Sequence, residues 1–149
     1  MKKSLLSLVV LLTVSIGVFA SDSEGVSKQL LNSFRKDFSD AREVKWQAAG
    51  DFVRVTFTMN NQVLNAWYNA DEARLLTVTR NIVSSQLPLN LQADLKKGYD
   101  GYWITDLFEM ATRYSTTYYV TLENADGKVI LESEGTYNWH VYKKEKKNN

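Results

Sequence analysis

The sequence predicts an α+β fold: tandem helix-plus-antiparallel-sheet units joined edge to edge into one sheet, with helices on one face and the other face open. Three observations predict it. Apolar residues alternate with a period of two through several seven- or eight-residue runs, the pattern of half-buried strands. Two stretches instead place apolar residues at helical spacing, and each is followed by such runs. Sliding one half on the other by 61 positions sets Phe34 on Leu95, Phe38 on Tyr99 and Phe57 on Tyr118, so the helix-then-strands pattern occurs twice. Each half alone would hold a marginal core, and joining the sheets buries more.

The first twenty residues stand apart from this pattern. Lys2 and Lys3 precede the run LLSLVVLLTVSIGV, and Val18 and Ala20 supply small residues at the minus-three and minus-one positions of a cut after Ala20. This predicts a secretory signal peptide over 1–20 and a mature domain over 21–149. The apolar run, about 15 residues, is short of the roughly 20 that a membrane span needs, so no membrane insertion is expected after cleavage. With no cysteine in the chain, a lipid anchor on a cysteine at the cut is chemically impossible.

Residues 26–38 carry Val26, Leu30, Leu31, Phe34 and Phe38 on one side of a helix and Lys28, Arg35, Lys36 and Asp37 on the other. Val44 and Trp46 open a short strand. From 52 to 59, Val53, Val55, Phe57 and Met59 share one side, and Phe52, Arg54, Thr56 and Thr58 the other. Asn60 and Asn61 suit a turn with positive φ. Residues 63–69 then return as the second strand of a hairpin, Leu64, Ala66 and Tyr68 against Val63, Asn65, Trp67 and Asn69. A further strand covers 75–82. Pro88 starts a second helix through Leu91, Leu95 and Tyr99, closed by Gly98 and Gly101. Strands follow at 103–112, 116–123, 129–134 and 136–143, which sets the two units at about 26–84 and 85–143.

Composition excludes several functions. The leader holds two of the 18 basic residues and none of the 17 acidic ones, so the mature chain has 16 basic against 17 acidic residues, a net charge of −1. Nothing in that balance suggests nucleic acid. An exported chain without cysteine must draw its stability from packing, and 17 of the 18 Phe, Trp and Tyr residues lie in the mature domain to supply it. His140 is the only histidine, and no serine sits in a glycine-flanked elbow, so no catalytic set is visible and no enzyme is expected. Zinc wants several His or Cys ligands and calcium wants clustered oxygens; Asp71, Glu72 and Asp126 are expected as turn residues, with no metal and no cofactor. The terminal KKEKKNN is expected to be a solvated, frayed end.

The order of local features resembles one family. FSDAREVKW follows an aromatic helix and leads into DFVRVTF; AWYNADEARLLTVTRNI, an LP pair, a helix ending GY and YYVTLENADGKV follow. The mature chain resembles the PepSY-like periplasmic proteins with a β-lactamase-inhibitor-protein-like fold, of the Bacteroidetes type. It departs at Asp71, Glu72 and Ala73, where the family usually has Asp-Gly. The resemblance implies a concave sheet that grips another protein, no catalysis, no cofactor and a periplasmic or secreted location.

The face expected to make that contact carries Arg54, Thr56, Asn65, Trp67, Thr77 and Tyr119. Across the Asn60–Asn61 turn, residues whose numbers sum to about 121 lie opposite, which sets Arg54 against Trp67, both pointing away from Val55 and Phe57. Trp, Tyr and Arg dominate many interfaces because they bury much area with few torsions to freeze. Trp67 is therefore expected as an exposed contact ring whose removal leaves folding almost intact. The function expected is an exported, non-catalytic binding or inhibitory module for an unknown protein or peptide. The alternative is an envelope structural or stress accessory protein acting by self-association along its sheet edges.

Overall fold

The computed structural model describes residues 25–146; the expected signal peptide lies outside the described residues. The chain runs through α1 (Lys28–Asp37), β1 (Arg42–Ala49), β2 (Phe52–Met59), β3 (Gln62–Asn69), β4 (Leu75–Asn81), a single 3₁₀ turn (Ser84–Gln86), α2 (Leu89–Gly98), β5 (Trp103–Ala111), β6 (Thr116–Glu123), β7 (Gly127–Glu134) and β8 (Asn138–Lys146). All eight strands pair antiparallel in sequence order, as one sheet.

This corrects the expected α+β class. The fold is mainly β, not a tandem of helix-plus-sheet units: among the described residues, eight strands of seven to nine residues stand against two helices of ten. The physical reason is at the centre, where β4 and β5 pair through Val78 with Ala111, Thr79 with Met110, Arg80 with Glu109 and Asn81 with Phe108. The ladder therefore runs unbroken through the expected unit boundary. The end of the chain is corrected too, since Lys143, Lys144, Glu145 and Lys146, expected to fray, pair in β8 with Ile130, Val129, Lys128 and Gly127.

Local chemistry explains the elements. Ser27 caps α1 by accepting from the Leu30 amide at 3.2 Å, and Arg35 and Lys36 complement its last turn. Asn60 and Asn61, at φ 51° and 60°, make the β2–β3 turn in the left-handed region that asparagine tolerates. Asp71, Glu72 and Asp126 lie in turns, as expected, but the capping side chains are not theirs. Instead Asn69 Oδ1 accepts from the Asp71 and Glu72 amides, and Asn124 Oδ1 from those of Asp126 and Gly127.

Directly paired residues share a face, so registers carry faces across the sheet. Val55, Ala66, Val78, Ala111 and Thr116 form one such row, and alternation along β5 and β6 extends it to Leu107 and Val120. Both helices pack on this side. Leu30 and Phe34 of α1 join Val55, Phe57, Leu64, Ala66 and Tyr68; Leu91 and Leu95 of α2 join Leu107, Tyr118, Val120, Leu122 and Leu131. Between the two clusters Arg80 grips Glu109 in a two-pronged pair, 3.2 and 3.0 Å, and donates to Gln62 at 3.0 Å. The Tyr68 hydroxyl donates to Asp37 at 2.9 Å, and Trp139 Nε1 to the Leu91 carbonyl at 3.0 Å, so each helix is also tied to the sheet by one polar bond.

Candidate functional site

The opposite face carries the six residues singled out in the sequence. One row runs Gln47, Arg54, Trp67, Thr77 across β1 to β4; a second runs Thr56, Asn65, Thr79, Met110, Thr117 across β2 to β6; a third runs Asn81, Phe108, Tyr119, Glu132, His140 across β4 to β8. Among the described residues no helix lies in these rows.

Arg54 lies opposite Trp67, with its guanidinium carbon 5.7 Å from the ring centroid and a hydrogen bond to Gln47 Oε1 holding it there. The ring itself is not the exposed contact expected. Trp67 is only 1% exposed, packed with Ala49 and Phe52, and Arg54 and Thr77 flank it on neighbouring strands. Its Nε1 is buried with no hydrogen-bond partner, a costly state for a donor. Thr77, also 1% exposed, donates to the Ala111 carbonyl at 2.8 Å. Thr56 donates to Asn65 Oδ1 at 2.7 Å, so these two satisfy each other.

Tyr119 is 3% exposed and lies on β6, across the β4–β5 junction from Trp67. Its ring stacks on Phe108 at 5.1 Å and meets Tyr142 edge-on at 6.1 Å, while its hydroxyl donates to Glu132 at 2.7 Å. Burial, then the carboxylate partner, pushes its phenol pKa well above the ordinary value of 10.0. The six residues thus fall into two groups: Arg54, Thr56, Asn65, Trp67 and Thr77 on β2 to β4, and Tyr119 in an aromatic cluster of its own.

Sequence reasoning missed Phe108, Met110 and Tyr142, which build that second cluster. In WITDLFEMAT the residues alternating with Phe108 and Met110 are Leu107 and Glu109, so neither side reads as the polar one. Tyr142 sits in a bulge of β8, between the Val141–Leu131 and Lys143–Ile130 pairs, so no ladder partner assigns its face. His140 is exposed, with Nε2 3.1 Å from Glu134 Oε2. What this face offers chemically is stacking and charge: half-buried Phe52, Arg54, Phe108 and Tyr142 over buried Trp67, Met110 and Tyr119.

No family model matches the chain, and no curated protein matches it. Solved structures do. A DUF2874 family protein from Bacteroides ovatus superposes with a TM-score of 0.72 at 14% identity over 85% of this chain and 89% of its own. A BLIP-like protein from Bacteroides fragilis gives 0.67 at 21% identity, covering 83% and 87%. A protein from Bacteroides eggerthii, provisionally described as periplasmic, gives 0.69 at 10% identity, covering 81% and 88%. At these identities the likeness establishes a shared BLIP-like fold. Among the described residues, no helix is long and apolar enough to cross a membrane.

Proposed function

We propose that this chain is a PepSY-like, non-catalytic binding or inhibitory module, periplasmic or secreted, that contacts a protein or peptide through the sheet face away from its helices. The observation that carries this reading is the set of half-exposed Phe52, Arg54, Phe108 and Tyr142, held from beneath by buried rings. Side chains already ordered lose little entropy on binding, and aromatic and arginine groups of this kind anchor interfaces. Trp67, Thr77 and Tyr119 serve as the base that fixes the contact groups, and Thr56 with Asn65 as a polar pair beside them. The BLIP-like fold and the export signal expected in residues 1–20 support the same class and location.

Affinity capture from an envelope extract tests this. The partner retained by the wild-type chain should be lost by a Phe108→Ala/Tyr142→Ala variant whose melting shows it folded; equal capture by both would refute the assignment. Self-association is the second reading, favoured by β1 and β8 ending the sheet with one unpaired edge each. Sedimentation over a dilution series separates them, since only self-association predicts a mass that falls with concentration.

A further inference from the structure

A concave surface lies apart from that face, beside the β1 edge. A cleft of about 820 Å³ opens between the C-terminal half of α1 and β1. Phe34, Phe38 and Trp46 form its apolar wall, with Phe34 at 5.4 Å from Phe38 and 5.1 Å edge-on to Trp46. Arg35 stands on the helix bank and Lys45 on the strand bank, both exposed and neither in an ion pair among the described residues. The carboxylate that shares the cleft, Glu43, accepts from the Thr58 hydroxyl at 2.7 Å and is directed along β1 toward β2.

The two sheet edges differ in how they treat an incoming strand. The last four residues of β8, Lys143 to Lys146, are all charged, which discourages pairing. In β1 a register shift lies between Arg42 and Lys45, with Glu43 at φ 53°, and beyond it Lys45 to Ala49 form a regular ladder carrying one charge in five residues. Among the described residues, the outer side of that ladder has no neighbouring strand. Its amides and carbonyls can therefore accept an added strand, whose alternate side chains would fall beside Trp46 in the cleft.

We infer that the β1 edge and the α1–β1 cleft form a second site, separate from the sheet face, that takes an extended segment of a partner protein by strand addition. The occupant alternates apolar with acidic residues. Its apolar side chains enter the cleft against Phe38 and Trp46, its main chain pairs with Lys45 to Ala49, and its carboxylates, on the other face of the added strand, meet Lys45. Trp46 and Lys45 lie on opposite faces of β1, which is why alternation rather than a block of either type is required.

The test is a titration of the ¹⁵N-labelled chain over residues 21–149 with three synthetic probes: acetyl-EVEFEVE-amide, acetyl-KVKFKVK-amide, and the acidic peptide N-methylated at alternate amides. The acidic peptide should shift amides within residues 34–49 and bind roughly tenfold tighter than either of the others. Lys45→Glu, an exposed change that leaves the core untouched, should weaken it about tenfold, Trp46→Ala at least as much, and Phe108→Ala not at all. The inference is overturned if the acidic and lysine peptides bind alike, if N-methylation has no effect, if shifts fall on the Phe108 face, or if no shift appears at millimolar peptide. It is equally overturned if the chain alone dimerises through β1, which would make a second copy the occupant.

Discussion

The two faces of the sheet bury side chains by different means. Under α1 and α2, Val55, Phe57, Val120 and Leu131 are covered by another layer of structure, the ordinary way to close a core. On the other face no described helix is present, yet Trp67, Thr77, Thr79, Met110 and Tyr119 are each at most 5% exposed. There the cover is lateral: Arg54, Phe52, Phe108 and Tyr142 on neighbouring strands lie over or against the central rings. The difference teaches that burial on an uncovered face depends on side chains that remain in reach of a partner. Stability and contact are coupled on this face and separate on the other.

The strongest way to break that comparison is Trp67→Ala. If lateral cover makes a true core, the loss should be about 3 to 5 kcal/mol by chemical denaturation, similar to Leu91→Ala on the buried side of α2 at about 2 to 5 kcal/mol. Trp67→Phe should cost about 1.5 kcal/mol or less, because it deletes a buried donor that has no partner while keeping most of the ring. A loss below about 1 kcal/mol for the alanine variant would mean the ring is peripheral.

The polar junction on the helix side comes next. Arg80→Ala removes the two-pronged bond that pins β4 to β5, a ladder of four residue pairs, and should cost about 2 kcal/mol. Melting curves with an unchanged midpoint would show that the pair is dispensable.

A titration compares the faces through one tyrosine each. Tyr68, on the helix side, and Tyr119, on the other, both have phenol pKa values raised above 10.0, by burial first and then by their bonds to Asp37 and Glu132. A raised folded value means that their contribution is complete below pH 10 and is lost as pH rises, because the unfolded chain releases the protons first. Stability should therefore fall by roughly 1 kcal/mol per tyrosine by about pH 11, and Tyr68→Phe and Tyr119→Phe should each remove a comparable part of the slope, the rest coming from Tyr99 and Tyr118, which burial also raises. A flat profile across that range would mean that the hydroxyls ionise freely in the folded chain. Smallest of all, Arg54→Ala should cost about 1 kcal/mol or less, the worth of a cation over an indole near the surface.

Alternation along β2 and β3, with asparagines at the turn, was enough to place Arg54 opposite Trp67 and both away from Val55, because a period of two fixes faces wherever no bulge intervenes. Three features were hidden for physical reasons. The register in which β4 meets β5 joins segments separated by a helix, and no local pattern encodes it. The burial of Trp67 comes from side chains on adjacent strands, which alternation cannot reveal. Phe108 and Tyr142 escaped because β5 carries apolar residues on both of its sides and because Tyr142 sits in the β8 bulge. The expectation of a removable, exposed tryptophan failed on the second of these: the face was right, but a face without a helix was taken to be open.

Site-specific photocrosslinking in the envelope of living cells tests the central claim most directly. A photoreactive phenylalanine analogue placed at Phe108 or Tyr142 on the uncovered face should yield the same discrete adduct, while the analogue at exposed Lys96 on α2 should not. Adducts from Lys96 alone, or no adduct from either ring position in a folded chain, would contradict the assignment of the uncovered sheet face as the contact surface.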